Sequence, residues 1–189
     1  MNKFILFFIS AFLTVGTYAQ STWNVDTYHS SINFSIQHSG ISLVNGKFME
    51  YTGNLTTIGE ELKDAKFNFT IQASSINTGV EPRDNHLRNA DFFEVETYPT
   101  IKFESTQILA TGKPNHYLLY GNLTIKDVTK KVIFDLYDGG TAKSDNGTKI
   151  GLKAKTTINR FDYNIDYDPT AAGIGKDVNI TVHLQFAKQ

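Results

Sequence analysis

From Trp23 onward, polar and apolar residues alternate with a period of two, and the alternation recurs about eight times with turn residues between the repeats. Ser31-Ile32-Asn33-Phe34-Ser35-Ile36-Gln37-His38 follows it almost without error, as do Lys66 to Ile71, Thr100 to Glu104, Asn122 to Lys126, Lys131 to Leu136 and Val178 to Phe186. Successive side chains of a strand point to opposite faces, so each segment carries one apolar face that must be buried. Two less regular strands, Val44 to Thr57 with Gly46 and Gly53, and Lys149 to Ile158 with Gly151 and Ala154, complete the set, and their glycines read as bends or bulges. Turn chemistry at Ile58-Gly59-Glu60-Glu61, Thr111 to Asn115, Lys126 to Thr129, and Asp138-Gly139-Gly140 through Gly147 joins neighbours as hairpins, which gives an antiparallel meander. The pattern predicts an all-β chain that closes as an eight-stranded antiparallel barrel. Glu81 to Phe93 interrupts it: Pro82, then Asp84 as N-cap, with Leu87, Phe92 and Phe93 at compatible spacing, predicts a short helical lid segment. A second irregular stretch, Phe161 to Asp177, joins the last two strands.

Composition narrows what such a barrel can do. Lys+Arg 18 against Asp+Glu 19, a net charge of -1, supplies no basic cluster for nucleic acid or an anionic membrane. The absence of cysteine removes disulfides, thiolate nucleophiles, Cys-ligated zinc and lipidated cysteine. Five of the 24 aromatics, Phe4, Phe7, Phe8, Phe12 and Tyr18, belong to an N-terminal stretch with a basic start, a short apolar run and small residues before Gln20. That stretch has the form of a secretory signal peptide over residues 1–19, cleaved after Ala19, which leaves a single domain over 20–189. It is too short to span a bilayer comfortably, and no later segment has enough apolar residues for a membrane helix. Export without cysteine points to a bacterial envelope compartment or to a core large enough to need no disulfides.

The inward face of the barrel is expected to carry Ile32, Phe34, Ile36, Phe48, Phe67, Phe69, Ile71, Ile101, Phe103, Leu123, Ile125, Phe134, Leu136, Ile180, Val182 and Leu184. About eight strands enclose a space that side chains just fill or that one small ligand occupies. Alternation does not distinguish the two, and by composition alone a dry core is the simpler outcome.

Individual residues carry more. Trp23-x-Val25-Asp26-x-x-His29-Ser30-x-Ile32-x-Phe34-x-Ile36-x-His38, Val44-x-Gly46-x-Phe48, and Ser75-Ile76-x-Thr78 with Arg83-Asp84-x-His86-Leu87-Arg88-x-x-Asp91-Phe92-Phe93 strongly resemble the YceI-like family. Tyr98-Pro99-x-Ile101-x-Phe103, Gly121-x-Leu123-Thr124-Ile125-x-x-Val128-Thr129-Lys130 and Ile158-Asn159-Arg160 continue the match in order. The resemblance implies an eight-stranded antiparallel lipocalin-like β-barrel, exported to the periplasm, that holds a long-chain isoprenoid lipid or similar amphiphile without catalysing a reaction. Phe92 and Phe93 then join the residues named above as cavity wall. The resemblance admits two ligands: a polyisoprenoid, making the protein a carrier or store, or an isoprenoid quinone, making it an accessory to envelope redox or stress physiology. Neither implies a further cofactor, and a homodimer is compatible with both. The chain departs from the family pattern at Phe161-Asp162-Tyr163-Asn164, where a small polar residue and Phe-Gly often stand.

Arg83, His86, Arg88 and Arg160 are the head-group candidates, as donors to a diphosphate or a quinone carbonyl. The competing reading is that Arg83 pairs with Asp84 to fasten the lid and Arg160 ties down the last loop. His29 and His38, nine residues apart, lack short metal-ligand spacing, and His29 with Ser30 reads as a structural pair. No Gly-x-Ser-x-Gly elbow or phosphate loop is present, and Glu60-Glu61 sits in a turn, so no catalytic group is named.

Overall fold

A computed structural model describes residues 20–189 of the protein apart from Glu60. The leader expected over 1–19 lies outside the described residues. The strands are β1 (Gln20–Val25), β2 (Ser31–His38), β3 (Ser42–Phe48), β4 (Tyr51–Ile58), β5 (Lys66–Gln72), β6 (Ile76–Asn77), β7 (Thr100–Ala110), β8 (His116–Ile125), β9 (Val128–Ser144), β10 (Gly147–Asn159) and β11 (Ile174–Lys188), with one α-helix, α1 (Glu81–Arg88). Hydrogen bonding runs β1-β4-β5-β7-β8-β9-β10-β11 and returns from β11 to β1, so eight antiparallel strands close a barrel. β2, β3 and β6 continue β1, β4 and β5 beyond short breaks and carry the wall toward α1. Among the described residues no helix is long and apolar enough to cross a membrane.

The breaks are hydrogen-bonded rather than left open. Where β3 gives way to β4, the amides of Met49 and Glu50 donate to Ser75 Oγ at 3.2 and 3.0 Å. Between β1 and β2, Asp26 accepts from the Tyr28 amide at 3.1 Å and from Gln185 Nε2 at 2.9 Å, and pairs with His29 Nδ1 at 2.9 Å. Burial opposes ionisation of Asp26, but the bonds from His29 and Gln185 outweigh it and hold the carboxyl below its ordinary value. Ser30 bonds Gln185 instead of His29, so the expected His29–Ser30 pair does not form.

Two glycine readings are corrected. Gly139-Gly140 is no part of a turn: β9 runs through it, the register skips Gly139, and the hairpin closes at Asp145-Asn146. A side chain on Gly139 would stand 3.0 Å from the Gly151 carbonyl oxygen, so the extra residue of the bulge takes one only if that backbone shifts by a few tenths of an ångström. Gly46 and Gly53 mark no bend, because the β2–β3 and β4–β5 registers run past them unbroken.

Trp23, Leu55, Phe67, Leu152 and Phe186, each at most 4% exposed, plug the barrel at the end away from α1. Trp23 Nε1 donates to Thr57 Oγ1 at 3.2 Å, which satisfies both polar groups in that floor. Inner-face residues nearer α1, including Phe34, Phe69, Ile180 and Val182, are only half-buried although they point inward. A packed core would cover them, and this part of the barrel is hollow.

Candidate functional site

The hollow is a cavity of about 320 Å³ under α1, within the range of small-molecule sites. All eighteen residues expected to wall a tube line it, Ile32, Phe92, Phe93, Val182 and Leu184 among them. Leu119, Ala154, Ile158 and Tyr163 also line it and were not foreseen. The first three sit on strands whose inward phase was readable; Tyr163 follows β10 in a short 3-10 turn (Arg160–Tyr163) with no periodicity to reveal its direction.

Three phenylalanines explain why the barrel is not filled. Phe34 lies across from Gly46 and Phe69 across from Gly53, while Phe103 stands one pair diagonally from Gly121. A Cβ would come within 2.3 Å of Phe34 Cζ at Gly46, 2.3 Å of Phe69 Cε1 at Gly53, and 2.4 Å of Phe103 Cε2 at Gly121. Each ring therefore occupies the place of a missing side chain in the neighbouring strand. It leans against the wall instead of crossing the lumen.

The lid is fastened through Thr78. Asp84, expected as N-cap, lies within α1, whose N-cap is Val80, because its carboxylate turns back to accept from the Thr78 amide at 2.8 Å and Thr78 Oγ1 at 2.5 Å. Arg83 Nε donates to the same hydroxyl at 2.7 Å and Nη2 to the Thr78 carbonyl at 3.1 Å. Arg83 and Asp84 are thus linked through Thr78 rather than paired directly. The lid loop also meets the 160–173 loop: the rings of His86, Phe92 and Tyr167 lie 5.0 Å apart in each pairing.

The four head-group candidates separate. Arg83 and His86 line the cavity beside the exposed Gln37 and His38, which mark its opening. His86 is held by Asp91 Oδ2 at 2.8 Å. Arg88 faces away and donates to Ser74 O at 2.7 Å, Ile76 O at 2.9 Å and Asn85 Oδ1 at 2.9 Å. Arg160 is on the cavity wall, but its side chain is committed: Nε donates to Gly175 O (2.9 Å), Nη1 to Ile165 O (2.7 Å) and Tyr167 O (2.6 Å), Nη2 to Asp168 O and Ile174 O (both 3.0 Å). A guanidinium has five N–H groups, so none remains for a ligand. Burial lowers the Arg160 pKa from its ordinary value, with Asp168 and Asp166 opposing. The reading of Arg88 and Arg160 as head-group donors is corrected on these contacts.

Asp168 completes the loop anchor. Its Oδ2 accepts from the amides of Gly173 and Ile174 at 2.8 Å each, and Oδ1 from Thr170 Oγ1 at 2.8 Å. The Ile174 amide, then Thr170 and Gly173, hold its carboxyl below the ordinary 3.8. A depressed carboxylate stabilises the fold fully above its unfolded pKa, and the contribution is lost as pH falls through the lower folded value. The Gly173 and Ile174 amide proton shifts are expected to titrate together with a midpoint below 3.8 in NMR spectra. A midpoint at or above that value contradicts the anchor.

A YceI-like domain model matches residues 23–186. A UPF0312 protein of Photorhabdus laumondii is 36% identical over 141 residues, 74% of this chain and 72% of that one. One from Staphylococcus aureus is 31% identical over 173 residues, 88% of this chain and 98% of that one. Among solved structures, the Campylobacter jejuni YCEI protein superposes with a TM-score of 0.70 at 25% identity, covering 100% of this chain and 99% of that one. A polyisoprenoid binding domain from Saccharophagus degradans gives 0.69 at 19% identity, covering 88% and 98%, a likeness of fold. With the closed barrel, its lid and a family match that spans nearly all the described residues, the chain belongs to the YceI-like family.

Proposed function

We propose that the protein is a non-enzymatic carrier or store for a long-chain isoprenoid-type lipid in the periplasm of a bacterium. The observation that carries this reading is the cavity itself: a closed barrel with a packed floor, a lid, and an interior walled almost entirely by aliphatic and phenyl groups. Water gains nothing from such a wall, whereas each methylene moved into it contributes about 0.8 kcal/mol. Several isoprene units bind tightly on that basis alone. The solved domain from Saccharophagus degradans, described as polyisoprenoid binding, supports the same ligand class for this fold. Arg83 and His86 line the cavity beside its opening, which supports them as the groups that meet a polar head.

The test is organic extraction of the purified protein, produced with its own leader, followed by mass spectrometry. A polyprenyl species near one per chain is expected. A quinone in its place turns the reading to a redox accessory, and no lipid after incubation with bacterial membranes overturns both.

A further inference from the structure

The turn joining β2 to β3 stands at the cavity opening and displays apolar side chains to solvent. Ile41 is 89% exposed and Leu43 59%. Ile36 and Val44 pair across the hairpin and line the cavity, so Leu43, next to Val44 and opposite Gln37, turns to the outer face. The tip is braced. Ser39 and Gly40 hold positive φ, the Ile41 amide donates to the His38 carbonyl at 3.2 Å, and Gln37 Nε2 donates to the Gly40 carbonyl at 3.0 Å. The Ser39 amide donates to the Gly173 carbonyl at 2.7 Å, which ties the tip to the loop that Arg160 anchors. Charge is missing from the same surface. Residues 27–46 contain no Asp, Glu, Lys or Arg, in a chain that is 20% charged. Nor do residues 67–80, which lead through β6, past Thr78 against Gly46 of β3, to the exposed Val80.

We propose that this tip is a membrane-docking surface: Ile41 and Leu43 enter the interface of a phospholipid bilayer and set the cavity opening against it, so that a lipid crosses without passing through water. The inference rests on the lipid-binding reading and adds where the ligand is exchanged. Three features select a bilayer as the occupant. The patch adjoins the opening through Gln37 and His38, which line the cavity. The tip also carries no side chain that would meet the cost of moving a charge to the edge of the hydrocarbon. Finally, the most exposed residue is in the turn itself. A partner strand added along β3, which β6 pairs only at Lys47 and Phe48, would cover Ser42 to Gly46 and leave Ile41 bare, whereas a bilayer covers Ile41 first. Two side chains give weak, reversible attachment, as a carrier that must leave again requires. With no basic residue on the tip, the attachment is to a neutral surface and is insensitive to salt.

The experiment compares delipidated protein with the double variant Ile41→Ser, Leu43→Ser and with Ile133→Ser, an exposed isoleucine on β9 outside the patch. Geranylgeraniol is offered from dioleoylphosphatidylcholine vesicles and, separately, from a cyclodextrin complex, and vesicle attachment is read by co-flotation at low and high salt. The native protein and Ile133→Ser should float with vesicles at both salt concentrations. In the double variant, flotation and the rate of transfer from vesicles should fall at least tenfold, while uptake from cyclodextrin and the melting temperature stay unchanged. Native protein that does not float, flotation confined to low salt, or a double variant that draws from vesicles at the native rate overturns the docking inference, and uptake from cyclodextrin then leaves lipid binding standing. An equal loss from both sources assigns the two residues to the cavity and overturns it as well. A native dimer that the double variant splits in analytical ultracentrifugation, with transfer unchanged, makes a second copy the occupant instead. No uptake by the native protein from either source overturns the lipid-binding reading and the inference with it.

Discussion

Replacing Arg160 with Ala is expected to destabilise the barrel by about 3–5 kcal/mol, lowering the melting temperature by roughly 10 °C. The guanidinium is 3% exposed and donates to five carbonyls spread from Ile165 to Gly175. Its removal leaves those carbonyls and the Asp168 carboxylate without their cation. Five bonds to one charged group are not additive, so the figure is set by the cost of leaving several loop carbonyls without their common donor, not by five separate bonds. The damage should reach the lid, because Arg160 holds the Tyr167 carbonyl and the Tyr167 ring packs against His86 and Phe92. Arg160→Lys should rescue little, since an ammonium has three donors and no planar fork to span the loop. An unchanged melting temperature with weakened ligand binding would instead identify Arg160 as a head-group contact.

The double substitution Gly46→Ala, Gly53→Ala should remove long-chain binding while costing only about 1–3 kcal/mol of stability. Each new methyl lands 2.3 Å from the outer edge of a phenyl ring, Phe34 or Phe69. A ring end is movable, and Phe69 is backed by Phe186 at 6.0 Å on the floor side, so the free direction is the lumen. Rings displaced inward take volume from a cavity of about 320 Å³. If they exclude roughly three methylenes of ligand, affinity falls by about 2.4 kcal/mol, about fifty-fold. Gly121→Ala provides the contrast, because its methyl would also stand 2.7 Å from the Glu104 carbonyl oxygen, which is backbone and cannot swing away. That variant should lose stability before it loses capacity. Unchanged affinity for a long-chain ligand in the double variant would show that the glycines do not keep the lumen open.

The barrel wall was legible because alternation reports direction. Phe67-Asn68-Phe69-Thr70-Ile71 can bury only one face, and residues of that face line the cavity. Glycines were misread for a related reason. Composition marks Gly46, Gly53 and Gly139 alike as breaks, but the first two accommodate a ring from the adjacent strand and the third is a bulge residue. Which applies depends on the partner across the sheet. Arginine roles were illegible in the same way: Arg83, Arg88 and Arg160 are alike as donors, and only the carbonyls brought near each decide what it holds.

The sequence by itself determined the all-β class, the antiparallel order, the inward set of side chains and the membership these residues share with the YceI-like family. These are local properties, written in a period of two and in turn chemistry between adjacent strands. The tertiary structure alone decided that the tube is hollow, that Arg160 serves the loop, and that the buried Tyr163 hydroxyl has no hydrogen-bond partner among the described residues. Each depends on atoms far apart in the chain, such as Phe69 over Gly53 or Arg160 beneath Ile174, and periodicity contains no information about how two faces fit once they meet.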